Sequence, residues 1–420
     1  MSKEYREETT RKYEERIESL LKTTPLFVRD FYEHMHNGKR EITTQFAYVR
    51  DFILFLKYLQ KSIPSLNNQS LKNIDIDVFN HLNVKDLNEY RSFLHDEEKL
   101  TNSSIKKKFA AISAFYKYAI SCGDITNNPM TNFELPAVNS HRIIKLDSEL
   151  SNRLLAGILK NDMFLKDDGF GERPVPMPEE VAVRREKTVL RNYAICCLFL
   201  GTGLRVSELV GLDLSDISFR QNAINIIAKG GDEIQVFFGD DVARALKTYI
   251  DGTPVNYDQF IAQYSNGKAV IDWCKVNLNK PDFSQRLKES FPHQSNDFYK
   301  DTSLLAQSMR RQGRNAFAKD KNNKAVFLSN QGKRMTVRMV EIMIKEMVKT
   351  YLPDYDDKEL FSPHKLRATC ATRILSQTGD IQLASTQLNH KGVAVTAAFY
   401  AELQKEKQKD IVKNLDMNNW

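Results

Sequence analysis

The residues that most restrict the fold are 187–200, KTVLRNYAICCLFL. Their last turns are apolar on every side, so a helix there cannot lie on a surface with one stripe turned inward and has to be surrounded by protein. The run falls short of the roughly 18 to 20 apolar residues that a bilayer demands, and no longer run exists. These residues predict a buried helix in the middle of a sizeable domain and exclude a membrane span. Gly201 and Gly203 break the helix.

The chain of 420 residues is too long for one ordinary core and fits two domains. Its first third reads as successive helices. Thr43 or Thr44 can cap a helix with Phe46, Val49, Phe52, Ile53, Leu56 and Leu59 on one face; a short helix follows over Asp86 to His95. The strongest begins at Ser103 or Ser104 and sets Ile105, Phe109, Ile112, Phe115 or Tyr116, and Ala119 on one side, with Lys106, Lys107, Lys108 and Lys117 around it. After Gly123 the periodicity stops, and Asn127-Asn128-Pro129 and Leu135-Pro136 have turn and extended-chain chemistry. The reading is a helical domain over 1–135 (with 1–24 as an N-terminal helical extension), a linker over 136–144 and a second domain over 145–420.

That second domain opens with a helix over 147–160, then a stretch bearing Pro174, Pro176 and Pro178 that reads as a surface loop. Past the buried helix, Ala223–Ile227 and 233–238 are β runs around a glycine turn containing Lys229, which predicts a hairpin. A helix over 241–250 follows. Residues 251–322 have no strong periodicity and read as an insertion of helices and loops. A short strand over 325–328 and a helix over Val337–Tyr351 come next, and Ser362-Pro363 starts another helix, Ser as cap and Pro at its first position. A tail over 401–420 carries Leu403, Ile411, Val412 and Leu415.

Composition narrows the function only a little. With 61 Lys+Arg against 54 Asp+Glu, the formal charge of +7 permits a polyanionic partner without requiring one. Five cysteines give neither a disulfide framework nor a CxxC zinc pattern, and the charged N-terminus is no secretory signal, so a reducing cytoplasm is expected. No compact Asp/Glu/His constellation points to a metal, and no cofactor is expected.

Four places carry possible chemistry. Arg205 follows the glycines at the end of the buried helix, with Glu208 three residues on; this is either a helix cap with an Arg–Glu surface pair or an arginine awaiting an anion. His364 and Arg367 share one face of a helix's first turn, where unpaired N–H groups already favour an anion and disfavour cations, so their presence suggests an external anion. His390 lies in Leu388-Asn389-His390, and Tyr400 sits in an apolar segment before the tail. Lys229 on its own is a lysine in a β-turn, and Tyr400 on its own a half-buried tyrosine.

Their order joins them. GTGLRVSEL, the AKGG hairpin, HKLRATCATRIL and LNH…FY together resemble the tyrosine recombinase/integrase family, and IKKKFAAISAFYKYAI…NNP resembles the end of that family's core DNA-binding domain. The resemblance runs from about Thr43 to about Lys405. It implies a mainly α protein with a small β-sheet: a helical core DNA-binding domain and a mixed α/β catalytic domain closing as a C-shaped clamp on duplex DNA. It implies a site-specific recombinase that cuts and rejoins DNA through a 3′-phosphotyrosyl intermediate without metal, integrating, excising or resolving DNA elements. Arg205, Lys229, His364, Arg367, His390 and Tyr400 would be catalytic and Glu208 supporting, with Lys106, Lys107, Lys108 and Lys117 against the duplex. The partners implied are a specific double-stranded site and a homotetramer on two duplexes, formed from a free monomer or dimer, with the tail docked on a neighbouring protomer. Four departures stand out: the His390–Tyr400 spacing is one residue longer than usual, Asn389 replaces a usual Gly, Ala368 replaces a frequent His, and Asp232 makes the hairpin more acidic. A type IB topoisomerase-like relaxing enzyme and a non-catalytic DNA-binding regulator of the same fold are the alternatives.

Overall fold

The structure, a computed structural model, describes residues 3–138, 142–169, 171–227, 232–253, 255–311, 313–320, 322–389, 396, 397, 399–401, 403–405, 408 and 412. They form two compact units, Lys3–His141 and Arg142–Trp420. No helix among the described residues is long and apolar enough to cross a membrane.

In the first unit, α1 (Lys3–Leu21), α2 (Leu26–Asn37), α3 (Ile42–Ser62), α4 (Val78–His81), α5 (Val84–Asp96) and α6 (Asn102–Cys122) pack around an aromatic core. Phe52 of α3 lies 4.2 Å, centroid to centroid, from Phe115 of α6 and stacks on Phe79, all three fully buried. Helix ends differ from the sequence expectation. The α3 helix begins at Ile42, because the carbonyl of Glu41 accepts from Thr44 N and Gln45 N, so neither Thr43 nor Thr44 is its cap. Likewise Thr101, whose hydroxyl accepts from Ser104 N, caps α6 in place of Ser103 or Ser104. Gly123, at φ +80°, ends α6 in the left-handed conformation that a glycine adopts without steric cost.

The second unit contains α7 (Ser148–Lys160), β1 (Met163–Asp167), β2 (Glu172–Pro176), α8 (Glu179–Thr202), α9 (Val206–Val210), β3 (Ile217–Ser218), β4 (Ala223–Ile227), β5 (Glu233–Phe237), α10 (Asp240–Asp251), α11 (Tyr257–Gln263), α12 (Gly267–Asn277), α13 (Phe283–Ser290), α14 (Asn296–Arg310), α15 (Val337–Tyr351), α16 (Pro363–Thr378) and α17 (Ile381–Gln387). The α8 helix is the surrounded helix demanded by residues 187–200: α7, α10 and α16 pack on it, and Ala194–Leu200 is buried without a break. The β3-β4-β5 sheet is antiparallel in that order, with the β4–β5 ladder running from Ala223↔Phe237 to Ile227↔Glu233.

Two expectations need correction. The stretch bearing Pro174, Pro176 and Pro178, read as a surface loop, is instead part of the antiparallel β1–β2 ribbon, packed on α15, and the start of α8. Pro174 and Pro176 are two residues apart, so their missing N–H donors fall on one edge of the ribbon and cost it little. Residues 325–328 are not a strand but a buried segment held by single bridges, Asp213↔Ala325 and Leu328↔Arg334. Leu403 is buried with Leu375 and Ala384 of its own chain. Of the remaining tail residues, Val412 is exposed, while Ile411 and Leu415 lie outside the described residues. The insertion over 251–322 has a core of its own, with Phe260, Val270, Ile271, Cys274, Phe283, Leu287, Phe298 and Leu305 buried among α11–α14. Arg311 fastens it, its guanidinium bonding the buried Glu186 of α8 and the Leu159 carbonyl.

Candidate active site

The site begins where α8 stops. Gly203 stands at φ +65°, and a Cβ there would run into the Leu388 side chain and press on Cys370. Glycine is therefore required twice, by the turn and by the close approach of α17's end. Two residues later, Arg205 caps α9. Its backbone N–H donates to Glu208 Oε2 at 2.7 Å, and its Nη1 donates to Oε1 of the same carboxylate at 2.8 Å. Glu208 is buried whereas the Arg205 side chain keeps 28% of its surface exposed, so the acid works from beneath to aim the guanidinium outward. Arg334 braces the far end of α9 by donating to the Val210 and Leu212 carbonyls at 2.9 Å each.

The α16 helix supplies the other half. Pro363 occupies its first position, as expected, while the Ser362 side chain makes no capping bond. Arg367 is 7% exposed and donates from Nη1 to the Gly203 carbonyl at 2.5 Å and from Nη2 to the Leu388 carbonyl. Arg205 Nη2 donates to the next carbonyl along, that of Asn389, at 2.9 Å. The two guanidiniums thus take up carbonyls that α17 leaves unpaired at its C-terminus. Asn389 stands at φ +49°, a left-handed position that asparagine tolerates better than most residues with a side chain, which explains how it substitutes for glycine there.

Electrostatically this is a cationic cradle with too little counter-charge. The Arg367 guanidinium is pushed down to about 10, by burial first and then by Arg205, with Glu208 opposing. It remains protonated near neutrality, but its cation is destabilised until an anion arrives. His364 is exposed, yet surrounding protein and then the Arg367 and Arg205 charges lower its pKa from the ordinary 6.5, so its ring is neutral at pH 7. A neutral imidazole beside two guanidiniums can donate from one nitrogen and accept on the other.

Of the residues singled out from sequence, Arg205, Glu208, His364 and Arg367 come together. Tyr400 lies in a half-buried position against Leu375, Ala384 and Leu403, and its hydroxyl makes no hydrogen bond among the described residues. Lys229 and His390 lie outside the described residues, although the neighbour of His390, Asn389, is the one Arg205 holds. In the first unit, Lys106, Lys107 and Lys117 are exposed on α6, whereas Lys108 donates to the buried Asp51 at 3.1 Å. The sequence reading did not find the carbonyls of Gly203, Leu388 and Asn389, nor Arg334. Only the asparagine in place of glycine hinted at them. Among the described residues, no group of three or more His, Cys, Asp or Glu side chains is placed to hold a metal ion.

Comparison with known proteins agrees with this geometry. Residues 180–297 and 302–407 match the phage integrase family profile, and residues 26–135 match the phage integrase SAM-like domain. The chain belongs to the phage integrase family, the tyrosine-type site-specific recombinases. It is similar to the tyrosine recombinase XerC of Caldanaerobacter subterraneus subsp. tengcongensis, 26% identical over 385 residues covering 89% of this chain and 82% of that one. It is also similar to the tyrosine recombinase XerS of Streptococcus pyogenes serotype M49, 24% identical over 422 residues covering 96% and 98%. Among solved structures, the XerH site-specific recombinase bound to palindromic difH substrate superposes with a TM-score of 0.53 at 14% identity, covering 90% of this chain and 81% of that one. The Tn1549 transposon integrase in complex with circular intermediate DNA gives 0.52 at 16% identity, covering 91% and 98%. These similarities bear out the fold and the family that the order of motifs implied.

Proposed function

We propose that the arginine cradle grips one phosphodiester of a specific DNA site, and that Tyr400 attacks its phosphorus to give a 3′-phosphotyrosyl intermediate. The observation that carries this reading is the joint hold of Arg205 and Arg367 on consecutive carbonyls of one turn, which fixes two permanent cations side by side with spare donors. Arg205 commits two of a guanidinium's five N–H donors to Glu208 and Asn389, leaving the rest for non-bridging phosphate oxygens. Such donors, fixed before the reaction, stabilise the charge that grows on those oxygens and do the work a divalent ion does elsewhere. An ordinary phenol, with a pKa near 10, is a poor nucleophile at pH 7, so His364 or His390 takes its proton. Lys229 protonates the departing 5′ oxygen. The aryl phosphodiester preserves the bond energy for religation.

Tyr400 is presented in cis in this reading, since Leu403 anchors the segment on its own domain, and movement of that segment brings the phenol to the phosphate. Lys106, Lys107 and Lys117 on α6 meet the duplex backbone, and four protomers assemble on two duplexes for strand exchange. The five cysteines, all free thiols, fit action in a reducing cytoplasm. The test is a nicked suicide duplex, its sequence enriched by binding from a randomised library. The native protein should form a covalent band in the presence of chelator, and Tyr400→Phe should bind the duplex without forming one. An undiminished band from Tyr400→Phe overturns the assignment.

A further inference from the structure

The helix that begins at Arg205 and carries Glu208 is held at its other end by a third arginine. The α9 helix has five residues, little more than one turn, and so short a helix has no stability of its own. Val206, Leu209 and Val210 bury it in the core. That attraction is non-directional and does not fix where along its axis the helix stops. Arg334 supplies the direction. Its Nη1 donates to the Val210 carbonyl, the last of α9, and to the Leu212 carbonyl beyond it, at 2.9 Å each, and its Nη2 donates to Oδ1 of the buried Asp213. The orphan carbonyls of a helix C-terminus are suited to such a donor.

Arg334 is itself fixed. It pairs with Leu328 in a single antiparallel bridge, and residues 325–328 are buried without a break. The Tyr249 hydroxyl donates to the Val326 carbonyl at 3.1 Å and accepts from the Leu328 N–H at 3.2 Å, while Arg191 of α8 donates to the Leu328 carbonyl at 2.9 Å. Arg334 therefore ties α9 to one of the most buried segments of the second unit.

We propose that Arg334 is a positioning residue that sets the aim of Arg205. Glu208 lies two residues before Val210, about 3 Å along a helix axis, so a slip of the Val210 carbonyl displaces the Glu208 carboxylate by nearly as much. That carboxylate holds Arg205 twice, by its backbone N–H and by Nη1. Arg334 touches neither DNA nor the reacting atoms in this role and acts through Glu208. The inference rests on the reading of Arg205 as a ligand of the cleaved phosphate. A misaimed guanidinium weakens the stabilisation of charge growing on the non-bridging oxygens, and leaves nucleophile and leaving group as they were.

The test compares cleavage of two suicide duplexes of the library-enriched sequence. One has the ordinary phosphodiester at the cleaved position. The other has a methylphosphonate there, in which a methyl replaces one non-bridging oxygen and removes the charge the guanidiniums would grip. In both, the phenol oxygen bonds to phosphorus as the P–O5′ bond breaks, and release of the strand bearing the 5′ hydroxyl is followed. Arg205→Ala serves as the reference and should be slowed far more on the phosphodiester than on the methylphosphonate. Arg334→Met alone would leave Asp213 buried without its cation, so it is combined with Asp213→Asn. The double variant should cleave the phosphodiester about tenfold more slowly and the methylphosphonate at close to the native rate, which doubles as proof that it is folded. Arg334→Lys with Asp213 intact keeps the cation but loses the planar fork, and should recover part of the loss. Equal slowing on both duplexes, or none on either, overturns the positioning role. If Arg205→Ala is itself slowed equally on both, the phosphate reading of Arg205 falls and the inference falls with it.

Discussion

Replacing Gly203 by alanine tests how tightly the cradle is built, and the structure supplies its own control. Gly203 and Gly379 end α8 and α16 in the same left-handed conformation, at φ +65° and +68°, within the same compact unit. Around Gly379 an added Cβ meets nothing within 4 Å, so Gly379→Ala carries only backbone strain, about 1–2 kcal/mol. Gly203→Ala carries that strain and also drives a methyl into Leu388 and against Cys370, adding about 1–3 kcal/mol of overpacking. Urea unfolding followed by tryptophan fluorescence reads the difference cleanly, because Trp273 and Trp420 both belong to the second unit. Gly203→Ala should be the less stable of the two and should also cleave DNA more slowly, since a displaced Leu388 carries its carbonyl away from Arg367. Gly379→Ala should cleave normally. Equal stability losses and equal cleavage rates would show that the approach of α17 to the end of α8 is not a constraint, and would refute the argument.

Four further outcomes follow from the structure. The folded-state pKa of His364 is lowered from 6.5, so the unfolded chain binds this proton first; stability attributable to His364 is intact above 6.5 and is lost as pH falls below it, and His364→Asn should flatten that part of a stability-against-pH curve. Lys117→Ala should reduce the slope of log binding constant against log salt by about 0.9, the mark of one lost phosphate contact, in a DNA titration. Lys108→Ala should leave the slope nearly unchanged and instead destabilise the first unit by about 1–3 kcal/mol in thermal unfolding, because it deprives the buried Asp51 of a partner. Leu403→Ala should release the tail without unfolding the domain, seen as faster proteolytic cleavage after residue 400.

Much of this was legible in the residues, for reasons that also explain the failures. The α15 helix and the β4–β5 arms were readable because one amphipathic pattern runs through each and turn residues bound it. The β1–β2 ribbon was hidden because its prolines read as breakers, and only pairing shows that both sit harmlessly on one edge. The first turns of α8 were hidden because charge, not apolar periodicity, dominates Glu179–Lys187. Lys108 looks like Lys106 and Lys107 in the sequence, but it lies on the flank of Ile105 and Ile112, three and four residues away, and so turns toward α3 and Asp51. At the site, arginine, glutamate and histidine announce themselves by chemistry. The carbonyls of Gly203, Leu388 and Asn389 that orient the guanidiniums are backbone atoms, which every residue possesses, and nothing in a sequence marks them until the fold brings them within reach.

The central claim is that a phenol at position 400 takes the phosphorus held by Arg205 and Arg367. Its most direct test is mass spectrometry of the proteolysed covalent complex formed on a suicide duplex. The account predicts one modified peptide, with the nucleotide joined through its 3′ phosphate to Tyr400. A nucleotide on any other residue, or one joined through a 5′ phosphate, contradicts it.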